Sequence, residues 1–263
     1  MNIPFTKAHG AGNDFLLTWK EQAPSRDLPA LARALCQRHT GVGADGWIII
    51  ERKAAGASIR LFNADGSEAE ISGNGTRCAA ALLVESGRAG AEVDITTGAG
   101  QKRLRLIEQD GKRFLFEMDM GIPAVREDQV LHRLPLSSGI REVTVVDVGN
   151  PQCAVLVDQI PKNWHELGAE IERHPFFPKR TNVSFVRVID YHTIEARFFE
   201  RGAGATLSSG TGSTGAAVAV ILRKAASTPL RVITEAGDLH LRWDDSVYLT
   251  GPVVIVGTGT FFL

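Results

Sequence analysis

Hydrophobic and polar residues alternate along much of the chain, and in a few segments the hydrophobic residues are spaced by three and four. The spacing by three and four predicts helices over residues 28–38 and 164–173. Alternation and β-branched composition predict strands at 46–51, 58–62, 92–97, 102–108, 113–118, 184–189, 193–199 and 230–243, with a final strand at 253–263. This mixture predicts the α+β class.

Two further segments, 75–83 and 212–220, are rich in small residues and poor in charge. Each follows a Ser-Gly-x-Gly turn, one at Ser72 and the other at Ser209. A helix that is apolar on all sides is typically buried. We therefore expect two central helices of small residues, each wrapped by strands.

The chain also matches itself at one offset of 137 residues, the separation of Ser72 from Ser209. The same offset relates 12–13 to 149–150, 44–48 to 181–185, 61–63 to 198–200 and 72–76 to 209–213. Four correspondences at one offset indicate an internal duplication. We predict two pseudo-symmetric lobes of mixed or antiparallel sheet with a ligand cleft between them. The N-terminal lobe is expected over 1–121 with strand 254–263 added, and the C-terminal lobe over 122–253.

Composition narrows the possible functions. The 263 residues carry a formal net charge of −1 with no run of like charges, which argues against nucleic acid or a membrane surface as a partner. The N-terminus has no signal-peptide pattern. Three widely spaced cysteines form neither a disulfide framework nor a zinc pattern, so we expect a cytoplasmic protein without a metal site.

The paired turns are candidate anion sites, because the N-terminus of a helix presents backbone N–H groups at the positive end of its dipole. One such turn is weak evidence, since Ser is a good helix cap and Gly a common turn residue. Two turns in register favour one carboxylate that takes N–H bonds from both lobes.

Other polar residues beside the turns fit an amino-acid ligand. Asn13, Asn63, Asn150 and Asn182 can each donate and accept hydrogen bonds. Glu200 offers a carboxylate for an ammonium group, and Arg201 offers a guanidinium for a distal carboxylate. For a single Asn a turn-forming role is the simpler interpretation, and only the repetition in register favours a site. Glu68 is a weaker ligand candidate, and His9 and His39 are interpreted as structural.

Over essentially its whole length the sequence resembles diaminopimelate epimerase. The segments that carry the resemblance are 7–15, 41–45, 62–68, 73–78, 149–151, 181–183 and 200–204. The resemblance implies a cofactor-independent isomerase of lysine and peptidoglycan-precursor biosynthesis, in which two cysteines on opposite faces of the substrate transfer the α-proton between LL- and meso-diaminopimelate. It implies substrate-binding roles for Asn13, Asn63, Asn150, Asn182, Glu200 and Arg201, with Gly73, Asn74, Gly210 and Thr211 around the α-carboxylate. A homodimer is possible, and pyridoxal phosphate is not expected.

The sequence departs from the family at its two catalytic positions, where Ser72 and Ser209 replace cysteine. Gln152, Ala205 and Gly46 replace a histidine, a glutamate and a glutamine that are usual in the family. A thiol has a pKa of about 8.5 and an aliphatic hydroxyl lies several units higher, so an alkoxide is on the order of 5 kcal/mol less accessible than a thiolate. A serine base would need a base of its own.

Three interpretations of the serines follow. In the first, the natural enzyme is an epimerase whose two cysteines have been replaced, because Cys36, Cys78 and Cys153 remain. In the second, the protein has diverged to another reaction on an amino acid, such as racemisation, dehydration or isomerisation. In the third, it binds an amino acid without catalysis.

Overall fold

The computed structural model describes residues 2–54 and 56–262, so the predicted strand end at Leu263 and the lobe start at Met1 lie outside the described residues. The chain divides into two compact units. Unit 1 comprises the described residues of 1–118 and 251–263, and unit 2 comprises residues 119–250.

Unit 1 is a sheet that surrounds one helix and carries a second helix outside. Along the chain its elements are β1 (Asn2–Gly10), β2 (Asn13–Trp19), α1 (Leu28–Cys36), β3 (Gly46–Arg52), β4 (Ala57–Asn63), β5 (Glu68–Ala69), α2 (Gly73–Glu85), β6 (Glu92–Thr97), β7 (Gly100–Asp110) and β8 (Arg113–Gly121). β1 pairs with β2, and the pairing continues through β3, β4, β6, β7 and β8. The last strand of the chain, Val247–Phe262, pairs with both β8 and β1. The series of paired strands in unit 1 therefore ends where it began, at β1.

Unit 2 repeats this order. Its elements are β9 (His132–Leu136), β10 (Gly139–Asp147), β11 (Pro151–Leu156), α3 (Trp164–Glu172), β12 (Asn182–Asp190), β13 (Thr193–Glu200), β14 (Gly204–Thr206), α4 (Gly210–Leu222), β15 (Leu230–Thr234), β16 (Gly237–Trp243) and the first part of β17 (Val247–Phe262). β1 and β10, like α2 and α4, begin and end at positions that differ by the offset of the repeat. The α+β class and the duplicated order of elements are therefore confirmed.

The two small-residue helices are central to their units, as predicted. α2 contacts β1, β2, β3, β4 and β6, and its residues are buried from Gly73 to Leu83. α4 contacts β10, β11, β12, β13, β15 and β16, and its residues are buried from Gly210 to Val220. A bulky or charged side chain at most of these positions would have no space, and this explains the composition that predicted burial.

The outer helices cover the other face of each sheet. Asp27 caps the N-terminus of α1, and its side chain accepts a hydrogen bond from the backbone N–H of Ala30. Its Ala32 and Leu35 pack with Trp47 of β3 in one apolar cluster. In unit 2, Leu167 and Ile171 of α3 pack with Phe185 of β12 in the same way.

Several predicted boundaries were wrong. α1 ends at Cys36 rather than 38, because Gln37 has an extended backbone. α2 and α4 begin two residues earlier than predicted, since Ser72 and Ser209 are their N-caps. The predicted strand 230–243 is two strands, β15 and β16, joined by a turn, and the last strand begins at Val247 rather than 253.

Candidate functional site

The N-terminus of α2 is held by Ser72. Its Oγ accepts a hydrogen bond from the backbone N–H of Gly75 at 3.1 Å, and its carbonyl accepts one from the N–H of Thr76 at 2.8 Å. This turn also lies tight against the sheet, because a Cβ at Gly75 would stand 2.8 Å from Ile48 Cδ1. Ser72 is half-buried.

The N-terminus of α4 has the same construction. Ser209 Oγ accepts from the backbone N–H of Gly212 at 3.0 Å, and the Ser209 carbonyl accepts from the N–H of Ser213 at 2.9 Å. A Cβ at Gly212 would stand 2.6 Å from Phe198 Cδ1. The two predicted turns are therefore equivalent in backbone structure, and in both a neighbouring side chain lies close to the second glycine.

The two serines differ in their side-chain neighbours. Ser209 Oγ donates a hydrogen bond to Glu200 Oε1 at 2.5 Å, and Ser209 is almost fully buried. By the repeat offset the residue of unit 1 that corresponds to Glu200 is Asn63, whose Nδ2 donates to Ser67 Oγ at 2.9 Å. No carboxylate is hydrogen-bonded to Ser72 Oγ in the part of the chain that the structure describes. Among the described residues, Ser209 is thus the serine of the pair whose hydroxyl is hydrogen-bonded to a potential base.

The remaining predicted residues of unit 2 form two short hydrogen-bonded groups. Asn150 donates through Nδ2 to Thr211 Oγ1 at 3.5 Å and accepts at Oδ1 from Gln152 Nε2 at 2.7 Å. Asn182 Oδ1 accepts from the backbone N–H of Arg201 at 3.0 Å. The Arg201 guanidinium in turn donates to the carbonyl of Lys179 at 3.3 Å. Gln152 is fully buried, and its Oε1 has no hydrogen-bond partner among the described residues.

In unit 1 the predicted residues Asn13 and Asn74 are brought together by side chains that the sequence did not single out. Asn74 Nδ2 donates to Asn13 Oδ1 at 3.3 Å, and Asn13 Nδ2 donates to Asp45 Oδ2 at 2.7 Å. At the other end Arg77 Nη2 donates to Asn74 Oδ1 at 2.5 Å. Asn63 is not part of this group, and its contact with Ser67 is that of a turn residue.

A cluster of charges supports the Asp45 end of this group. Arg38 bridges the carboxylates of Asp14 and Asp45 at 2.8 and 2.7 Å, and Lys7 lies 3.0 Å from Asp14 Oδ2. Burial raises the pKa of Asp14, but hydrogen bonds and charges from Arg38 and Lys7 outweigh that effect and hold the pKa below its ordinary value of 3.8. Asp14 is therefore ionised at neutral pH.

Two other candidate features have ordinary structural roles. Glu68, the weaker ligand candidate, is engaged at both carboxylate oxygens by Arg60 at 2.9 Å. His9 accepts from the backbone N–H of Gly12 at 3.3 Å. Cys36, Cys78 and Cys153 are buried and unpaired.

The described residues lack two features that would indicate a site of another kind. They contain no group of three or more His, Cys, Asp or Glu side chains arranged to hold a metal ion. They also contain no helix long and apolar enough to cross a membrane.

The chain is similar to known proteins over nearly its full length. The family model for diaminopimelate epimerase matches residues 5–125 and 144–256. The diaminopimelate epimerase of Pelotomaculum thermopropionicum is 39% identical over 276 residues, covering 98% of each chain. That of a Synechococcus species is 41% identical over 285 residues, again covering 98% of each.

Solved structures share the fold at lower sequence identity. A hydroxyproline epimerase from Agrobacterium vitis superposes with a TM-score of 0.74 at 15% identity, covering 98% of this chain and 92% of that one. A predicted epimerase from Pseudomonas aeruginosa gives a TM-score of 0.72 at 17% identity, covering 98% of each chain. The match to the family model and the identity to full-length relatives establish that the chain belongs to the diaminopimelate epimerase family.

Proposed function

We propose that the protein is an epimerase-like isomerase of diaminopimelate, or of a similar amino acid with two carboxylates, and that Ser209 and Glu200 together move the α-proton. Membership of the family supports the substrate class and the reaction class. The single observation that carries the mechanism is the 2.5 Å hydrogen bond from Ser209 Oγ to Glu200 Oε1.

The pair supplies a base that neither residue supplies alone. The α-carbon's C–H bond breaks and its proton passes to Ser209 Oγ while the hydroxyl's own proton passes to Glu200 Oε1. The electron pair stays on the α-carbon and is delocalised into the substrate carboxylate. Return of the protons along the same path restores the substrate, and no redox partner is needed. The net base is the Glu200 carboxylate, so no free alkoxide is formed.

This base is weaker than the one it replaces. A carboxylate has a pKa of about 4.3 and a thiolate of about 8.5, so the driving force for proton removal falls by roughly 6 kcal/mol. We therefore expect a reaction slower than that of an enzyme with two thiols. The Glu200 carboxylate is also proposed to bind the substrate ammonium group, the role expected for this residue.

The asymmetry between the serines bears on stereochemistry. Ser72 Oγ caps α2. The residue of unit 1 that corresponds to Glu200 is Asn63, and its side-chain amide is not a base at neutral pH. We therefore expect proton exchange at the face served by Ser209 to be faster than inversion, which also needs a proton from the opposite face.

Other members of the predicted set are proposed to bind the substrate. Arg201, anchored through Lys179, is proposed to hold the distal carboxylate. The remaining members of the set are Asn13, Asn63, Asn150 and Asn182 for polar groups, and Gly73, Asn74, Gly210 and Thr211 for the α-carboxylate. The homodimer and the cytoplasmic location stay predictions.

The test is to incubate the protein with LL-diaminopimelate in deuterated buffer and to follow the α-proton signal by NMR and the configuration by chiral separation. We expect loss of the α-proton signal ahead of formation of the meso isomer. Glu200→Gln should abolish the exchange. Glu195→Gln is the matched control on the same strand, because Glu195 pairs with Arg187 and Arg197 rather than with a serine.

The other outcomes separate the alternatives. Binding without any exchange would identify an amino-acid-binding protein and overturn the proposal. Exchange that survives Glu200→Gln would leave the reaction in place but exclude the Ser209–Glu200 pair as its base.

A further inference from the structure

Arg77 is a buried cation within a helix of small residues. It is fully buried, and between Gly73 and Val84 no other residue of α2 is charged. Its Nη2 donates to Asn74, whereas Nε and Nη1 have no hydrogen-bond partner among the described residues. Burial lowers the pKa of Arg77 to about 10, so the guanidinium is still charged at neutral pH.

The corresponding position of unit 2 shows that the helix does not need this charge. By the repeat offset the counterpart of Arg77 is Thr214, which is also fully buried. Thr214 Oγ1 donates to the carbonyl of Gly210 at 2.8 Å, one turn earlier in α4. Since α2 and α4 have the same length and the same capping, the cation of unit 1 has another purpose than forming the helix.

The hydrogen bonds that start at Arg77 all run in one direction. Arg77 donates to Asn74, Asn74 donates to Asn13, and Asn13 donates to Asp45. A guanidinium can only donate and a carboxylate can only accept. The two ends therefore determine which way each amide is turned, with the oxygens toward Arg77 and the nitrogens toward Asp45.

We propose that Arg77 is a positioning residue of the substrate site, which fixes the amide orientation of Asn74 and Asn13 and directs its positive charge to a carboxylate at the N-terminus of α2. The inference rests on the proposed function for the choice of ligand. The charge of Arg77 adds to the dipole of α2, so a carboxylate is favoured over an ammonium group at the N-terminus of this helix.

A residue that served only the fold would behave differently on replacement. A buried charge with two unpartnered nitrogens is costly to the folded state, and an apolar side chain of similar size is often as stable or more so. We therefore expect Arg77→Met to keep or raise stability while it impairs the site. A residue needed only for packing would show the reverse.

The experiment compares Arg77→Met and Arg77→Lys with Thr214→Val, the matched control in α4. The side-chain amide signals of Asn13 and Asn74 are followed by NMR in the protein without ligand. We expect both to move in Arg77→Met, to return toward their original positions in Arg77→Lys, and to stay unchanged in Thr214→Val. Unchanged amide signals in Arg77→Met would overturn the proposal.

Affinity for diaminopimelate, measured by calorimetry, tests the role in binding. We expect a loss of about tenfold in Arg77→Met, the usual scale for one hydrogen bond to a charged group, with partial recovery in Arg77→Lys. Full affinity in Arg77→Met would exclude the role in binding. If the wild-type protein shows no α-proton exchange, the proposed function fails, but the amide signals still decide whether Arg77 orients Asn74 and Asn13.

Discussion

Gln152 occupies the space that a side chain at position 215 would need. A Cβ built on Gly215 would lie 2.7 Å from Gln152 Cβ and 2.8 Å from its Cγ. The absence of a side chain at Gly215 thus leaves the space in which the buried Gln152 reaches Asn150.

Replacing Gly215 by alanine should therefore damage both packing and the site. We expect a loss of about 1–3 kcal/mol in the free energy of unfolding, the usual cost of overpacking a core, measured by urea denaturation. The amide signal of Asn150 should shift because its bond to Gln152 is broken. Gly90→Ala is the control, since nothing lies within 4 Å of a Cβ there. Equal effects of the two substitutions would contradict this account.

Restoring cysteine at both serine positions should speed the reaction. Ser72→Cys with Ser209→Cys supplies thiols that ionise more readily than hydroxyls and lie at helix N-termini, which lower a thiol's pKa further. We expect the rate of meso-diaminopimelate formation to rise by about a hundredfold or more, because the pKa of a thiol lies several units below that of a hydroxyl. Ser213→Cys, a buried serine of α4, should give no gain. No gain in the double variant would indicate that another part of the site has changed.

The cluster around Asp14 should make the free energy of unfolding depend on pH in the acid range. Because the folded-state pKa of Asp14 lies below its ordinary value of 3.8, its contribution is present above that pH and is lost as the pH falls through the lower value. We expect Asp14→Asn to cost about 2 kcal/mol at pH 7 and less at pH 3, by urea denaturation. The exposed pair of Arg126 and Asp128 is the control, and Asp128→Asn should change stability by less than about 0.5 kcal/mol. The same loss for Asp14→Asn at both pH values would contradict the assignment.

The three buried thiols should destabilise the fold at high pH. Burial raises the pKa of Cys36 and of Cys78 from 9.0 to about 12, and that of Cys153 further. The unfolded chain ionises first, so stability is intact below the ordinary value and is lost as the pH rises above it, by about 1.4 kcal/mol per pH unit for each thiol. Between pH 9 and 10 the thiol of the unfolded chain passes from half to almost fully ionised, so Cys153→Ala should make the loss of stability over that range smaller by about 1 kcal/mol. An unchanged slope would exclude the thiol as the cause.

Much of the fold was predictable from the sequence because the duplication allows each element to be predicted twice, once in each half of the chain. The offset that relates Ser72 to Ser209 also relates the ends of α2 and α4. The turn between β15 and β16 was missed although the sequence marks it, because the apolar residues shift from positions 230 and 232 to 239 and 241 across Gly237, which has a positive φ.

The sequence predicts a set of site residues but not the hydrogen bonds that connect them. Glu200 and Ser209 are nine residues apart, and their contact depends on the short strand β14 that folds back on β13 between them. Asn74 and Arg77 are one helical turn apart, so a charged residue in a helix of small residues was the available signal for Arg77. Asp45 reaches Asn13 only through the parallel pairing of β2 and β3, which no local pattern reveals.

The pairing of Asn2 with Phe262 has a consequence for the order in which the protein is made. Unit 2 is one continuous stretch of chain, but residues 251–262 of unit 1 leave the ribosome after all of unit 2. Until then β1 has a partner on one side only, in β2, and its other edge is open to any strand nearby. The strands of unit 2 can pair with one another before residues 251–262 are available, whereas β1 gains its second partner only afterwards.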